Sequence, residues 1–149
     1  NIPCAALSGA NIAHDIAHRQ FSESTIGCEK HEDTGVLQLL FDVPYFKIGM
    51  VKDVEGVQIY GSLKNIVALA AGFVDGLGLD SNTKAAIIRM GVEEMRRFTK
   101  VFYPSVLRST MWDSCGIADV ITTCYGGRNR MCAEAFVRGG GGSGGGLGK

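Results

Sequence analysis

Apolar and polar positions change their rhythm near residue 53. Before it, short apolar runs over residues 2–8, 24–28 and 46–51 have the β-branched, half-alternating character of strands. Residues 11–19 and 35–42 read as short helices between them, the second with Val36, Leu39 and Leu40 on one side. This βαβαβ order predicts part of a parallel or mixed sheet, in the manner of the later strands of a nucleotide-binding domain. From Asp53 the period becomes helical, and Ile59, Leu63, Ile66, Val67 and Ala70 mark one apolar stripe. Gly76-Leu77-Gly78 ends that helix. Ser81 or Asn82 can cap the next, which runs past Ala85, Ile88, Val92, Met95 and Val101 until Pro104 stops it. Glu93 and Arg97 are spaced for an i,i+4 pair. Residues 115–125 suit a further short helix, and Gly126-Gly127 turns the chain into a last one that starts near Arg128.

Composition narrows the class. The chain has 149 residues, 46% hydrophobic and 20% charged, with 15 basic and 15 acidic side chains and a net charge of +0. These are the proportions of a globular protein, and zero net charge argues against a general nucleic-acid or anionic-membrane binder. The most apolar run, residues 57–74, holds Lys64 and Asn65 near its centre, which predicts a buried helix and not a membrane span. Five cysteines without a Cys-x-x-Cys pair predict reduced, mostly buried thiols, and His14 and His18 lack the acidic partner of a zinc motif, so no metal is expected. Eight of the 21 glycines fall in residues 139–149. That Gly/Ser run is expected to be a flexible coil, an added linker or a frameshifted or mis-spliced end in preference to a natural tail.

Three places have the makings of chemistry. Lys64 shares a helix face with Val57, Gly61, Ala68, Ala71 and Asp75, and small neighbours would let a ligand come close to its ammonium. A lysine lying along apolar surface with its head in water explains the same spacing. The turn Tyr125-Gly126-Gly127-Arg128-Asn129-Arg130 combines close backbone approach, a helix N-terminus and a forked guanidinium, which together suit an anion. It equally suits a plain turn before a solvated basic helix. Asp119 lies in an apolar stretch, where a carboxylate either faces out or needs a cation such as Lys64.

Longer motifs carry a resemblance. Gly9-Ala10-Asn11-Ile12-Ala13, Gly61-Ser62-Leu63-Lys64-Asn65-Ile66-Val67-Ala68, Asn82-Thr83-Lys84-Ala85-Ala86-Ile87-Ile88-Arg89 and the stretch from Ser114 to Arg130 resemble, in order, the eukaryotic cytosolic NAD-dependent glycerol-3-phosphate dehydrogenases. The resemblance implies the C-terminal part of a Rossmann-type domain (residues 1–52), an incomplete all-helical substrate domain (53–138) and the tail (139–149), an α/β unit followed by an all-α one. It implies interconversion of dihydroxyacetone phosphate and glycerol 3-phosphate with NAD, in the cytoplasm, by a homodimer when full-length. In that family pattern Lys64 is the general acid–base, and Asn65, Asp119 and Thr123 surround the glycerol moiety. Arg128 and Asn129 take the phosphate, while Ala13 and Arg128 touch the cofactor. No Gly-x-Gly-x-x-Gly fingerprint occurs in these residues, so the pyrophosphate site is expected to lie outside them and the chain alone to be inactive. The rival readings are a related two-domain hydroxyacid-type dehydrogenase and a non-catalytic helical interaction module.

Overall fold

The structure is a computed structural model that describes residues 4–140. A three-stranded sheet in the order β1-β2-β3 packs at one end of a helical assembly. β1 (Ala5–Ser8) runs antiparallel to β2 (Ser22–Cys28), and β2 runs parallel to β3 (Phe46–Val51). The sheet is therefore mixed. α1 (Ala13–Ala17) joins β1 to β2, and α2 (His31–Phe41) makes the crossover that a parallel β2–β3 pair requires. β2 is central and buried at every position but Glu23, which explains its near-continuous run of small and apolar residues.

The helical part begins at α3 (Val54–Gly76) and continues with α4 (Ser81–Phe102), a 3₁₀ turn (Arg108–Trp112), a π-helical turn (Ser114–Ala118), α5 (Asp119–Gly126) and α6 (Arg128–Arg138). α3 is the axis. It has the length and apolarity to cross a membrane, yet it packs against α4, α5, α6 and the sheet. Asp53 starts it as N-cap, its buried carboxylate accepting from the Gly56 amide at 2.9 Å. The same carboxylate takes the Leu107 amide at 2.9 Å and the Thr110 hydroxyl at 2.6 Å, so one side chain also anchors the 3₁₀ turn.

The main core unites Tyr60, Val67, Ala68, Ala71, Met95, Val106, Met111, Val120 and Cys124. The apolar stripe expected on α3 is borne out in part, with Val67 in this core and Ile59 and Leu63 packed against it. Of that stripe only Val67 is buried, and Ile66 is exposed, whereas Val57, Ala68 and Ala71 on the face of Lys64 are fully buried. Small residues won that face because other helices need to come close to it. A Cβ at Gly72 would stand 2.2 Å from the Arg130 carbonyl oxygen on α6, and one at Gly91 would stand 2.5 Å from Val67.

Other boundaries shift for local reasons. α1 is shorter than expected, because Arg19 takes a left-handed conformation (φ 56°) and ends the run. α2 starts earlier, and its Val36, Leu39 and Leu40 face outward, clear of the sheet. The α4 cap is Asp80, which accepts from the Thr83 amide at 3.0 Å, and not Ser81 or Asn82. Residues 115–125 divide into a π turn and α5, since a Cβ at Gly116 would collide with the Met111 carbonyl and the chain passes there widened. Cys28, Cys115 and Cys124 are buried, while Cys4 and Cys132 lie at the surface. The start of the first expected strand (residues 1–3) and tail residues 141–149 lie outside the described residues.

Candidate functional site: a cleft where strand end, α3, α5 and α6 meet

All seven residues singled out from the sequence line one cleft of about 510 Å³. Ala13 comes from the sheet side, Lys64 and Asn65 from α3, Asp119 and Thr123 from α5, and Arg128 and Asn129 from α6. They converge because α3 runs past the C-terminal end of β1 and the start of α6 is pressed onto α3 at Gly72.

Lys64 and Asp119 are a pair. The ammonium donates to Asp119 Oδ2 at 2.5 Å, with the lysine side chain 20% and the aspartate side chain 4% exposed. A carboxylate that deep needs full satisfaction, and it is held on both oxygens. Thr123, one helical turn on, donates its one hydroxyl proton to the Asp119 carbonyl at 2.6 Å, with Asp119 Oδ1 a longer, shared acceptor at 3.3 Å. The remaining exposure of Lys64 opens into the cleft. Asn129 Nδ2 donates to Asn65 Oδ1 at 2.9 Å, tying α6 to α3 and leaving its second N–H for a ligand. Among the described residues the exposed Arg128 guanidinium has no hydrogen bond or ion pair, so a forked cation stands uncommitted at the rim.

An ion-pair cluster behind the cleft holds α6 in place. Arg130 Nη1 reaches Asp75 Oδ2 at 2.8 Å and Glu134 Oε2 at 2.7 Å, and Lys84 from α4 reaches the same Asp75 oxygen at 2.8 Å. Burial works against the charged form of Asp75, but Lys84 and Arg130 outweigh it and hold its carboxyl below the ordinary carboxylate value. The Lys84 ammonium also lies 4.3 Å from the centre of the Tyr125 ring.

The sheet side contributes more than was expected. Gly9, Asn11 and Ile12 also line the cleft, and Asn11 Nδ2 donates to Ser24 Oγ at 2.7 Å. Gly9 is required by space, since a Cβ there would lie 2.7 Å from the Ser24 Cα. Ser114 binds this loop to the π turn, accepting from the Ala10 amide at 3.2 Å and donating to the Glu23 carbonyl at 2.8 Å. The Gly-Ala-Asn run after a strand was the available signal for Asn11. Nothing in the spacing of Ser114 marked it. No group of three or more His, Cys, Asp or Glu residues able to hold a metal occurs among the described residues.

The family model described as NAD-dependent glycerol-3-phosphate dehydrogenase C-terminus matches residues 53–143. A cytoplasmic glycerol-3-phosphate dehydrogenase [NAD(+)] of Drosophila ezoana is 55% identical over 93% of this chain and 40% of its own length. The glycerol-3-phosphate dehydrogenase [NAD(+)] of Cuphea lanceolata is 55% identical over 94% of this chain and 38% of its own length, and an Arabidopsis thaliana relative at 55% is named chloroplastic. The structure of the Dunaliella salina enzyme superposes with a TM-score of 0.89 at 48% identity, covering 93% of this chain and 24% of that one. The Saccharomyces cerevisiae glycerol-3-phosphate dehydrogenase gives 0.86 at 44% identity over 93% and 42%. The chain spans about two-fifths of the length of the curated relatives it matches. Sequence and fold agree, and the chain belongs to the NAD-dependent glycerol-3-phosphate dehydrogenase family.

Proposed function

We propose that this chain is the acid–base and phosphate-binding part of an enzyme that interconverts dihydroxyacetone phosphate and sn-glycerol 3-phosphate. In this reading residues 1–52 close a Rossmann-type cofactor domain, and residues 53–138 belong to the helical substrate domain. The observation that carries it is the single cleft, with a carboxylate-bound lysine at its floor and an uncommitted guanidinium at its rim. That pairing fits a small substrate with a carbonyl at one point and a phosphate a few bonds away.

Lys64 donates its proton to the carbonyl oxygen as that oxygen gains charge, and accepts it back in the reverse direction. Asp119 keeps the ammonium aimed and offsets the cost of holding it partly out of water. Asn65 and Thr123 face the glycerol hydroxyls, and Arg128 with the second Asn129 N–H takes the phosphate. NADH, when bound, supplies the hydride. The residues present suit that cofactor where the close backbone of Gly9 to Ala13 forms one wall of the cleft and Arg128 stands free opposite. Ala13 and Arg128 would hold it. A cytoplasmic location and a homodimer, with no nucleic-acid or membrane partner, complete the proposal.

An uncommitted Arg128 also favours a phosphorylated substrate over a plain hydroxyacid. Titrating the isotopically labelled chain with glycerol 3-phosphate, glycerol and lactate separates the two. Shifts at Lys64, Arg128 and Asn129 with glycerol 3-phosphate alone support the reading. An equal response to lactate contradicts it.

A further inference from the structure

We propose that Ser8 is a positioning residue for the Lys64–Asp119 pair, an inference that rests on the reading of Lys64 as the acid–base. Ser8 ends β1, and its hydroxyl donates to Asp119 Oδ2 at 3.1 Å, the oxygen that also receives the Lys64 ammonium at 2.5 Å. One carboxylate oxygen is therefore shared by a donor from the sheet and a donor from α3. Thr123 holds the other oxygen from within α5, so it fixes the carboxylate only relative to its own helix. Among the described residues Ser8 is the side chain on the sheet side that reaches the acid–base pair.

The consequence is geometric. Hydride and proton reach adjacent atoms of one carbonyl, and in the proposed reaction they come from different sides of the cleft. The strand end belongs to the cofactor side, and Lys64 to the helical side. Ser8 links the two through Asp119, so the position of the ammonium follows that of the strand end. Such alignment matters at sub-ångström scale.

α3 makes room for this contact at Gly61. A Cβ there would stand 2.7 Å from Ser8 Oγ and 3.5 Å from Ser8 Cβ. The hydroxyl would have to move from the position in which it meets Asp119. Gly61 thus permits the hydrogen bond, and its lack of a side chain has a purpose beyond packing.

The test uses the complete enzyme that contains this segment, assayed by NADH oxidation with dihydroxyacetone phosphate. Ser8→Ala is expected to lower kcat about tenfold, the size of one lost hydrogen bond to a charged group, with KM changed less than twofold. Ser8→Thr keeps the hydroxyl and should restore most of kcat. Gly61→Ala should lower kcat similarly although Ser8 is intact and alanine suits a helix better than glycine. In an Asp119→Asn background Ser8→Ala should have no further effect. The proposal is overturned if Ser8→Ala leaves kcat unchanged while Lys64→Ala abolishes turnover, or if its effect persists undiminished beside Asp119→Asn. If Lys64→Ala itself leaves kcat unchanged, the acid–base reading fails and this proposal fails with it. A rise in KM matching the fall in kcat in Ser8→Ala also counts against it, as damage to the whole cleft.

Discussion

The helical part and the sheet part of this chain solve the burial problem differently. α3 is wrapped by three helices and the sheet, and its buried face combines Tyr60 and three valines with the small residues Gly56, Ala68, Ala71 and Gly72. The sheet part has a smaller core of Ile26, Cys28, Phe46 and Ile48 and leaves the Val36, Leu39 and Leu40 face of α2 exposed, while the helical part buries more but also exposes Ile66, Val101, Phe102 and Trp112 at its outer surface. Close packing around a narrow axis leaves no tolerance for added atoms. An uncovered helix face tolerates nearly anything. The cleft lies on the boundary, lined by Lys64, Asn65, Asp119, Thr123, Arg128 and Asn129 from the helical part and by Gly9, Asn11, Ile12 and Ala13 from the sheet side.

The largest expected effect is therefore a wedge between α3 and α6. Gly72→Leu should destabilise the chain by roughly 3–5 kcal/mol, because the Arg130 backbone blocks even the first added carbon. Urea denaturation measures it, and a loss under about 1 kcal/mol would mean that the two helices are not packed as described.

Next comes an alkaline weakness confined to the helical core. Burial pushes the Cys115 and Cys124 thiols up from 9.0 to about 11. The folded state thus keeps these protons where the unfolded chain releases them. Their contribution is fully present below pH 9 and is lost as pH rises towards 11, at roughly 2–3 kcal/mol each. Under reducing conditions the urea midpoint should fall over that interval, and fall less steeply in Cys115→Ala and Cys124→Ala. An unchanged slope in both variants would remove the thiols as the cause.

The smallest effect belongs to the sheet part. Leu39→Lys should change stability by under about 0.5 kcal/mol, since the leucine touches water on most of its surface. A loss of several kcal/mol would show that α2 packs against something in solution, and the contrast between the two parts would disappear.

How much of this was legible in the sequence follows the same division. β3 and the start of α6 were read without error, because strand patterning and a Gly-Gly turn are local signals. The Glu93–Arg97 pair also forms as read, at 3.0 Å. The buried face of α3 was legible in part: Ile59, Leu63 and Val67 pack at the core, but Ile66 is exposed, since hydrophobicity ranks Ile66 above Gly72 while close helix approach ranks them the other way. Lys64, Asp119 and the Gly-Gly-Arg turn were legible as chemistry out of place in its surroundings. Family motifs joined them into one site, and the structure supplies the 2.5 Å contact between the first two. Ser8 and Ser114 were not legible as functional. Their roles depend on partners 111 and 104 positions away, which no short-range pattern encodes.

In the proposed reaction Lys64 is the proton donor of a cleft whose rim binds phosphate. Steady-state kinetics of Lys64→Ala in the complete enzyme tests this role most directly. A proton donor at Lys64 requires kcat to fall by about a hundredfold or more, with glycerol 3-phosphate still bound through Arg128. A variant that turns over within twofold of the parent would contradict it.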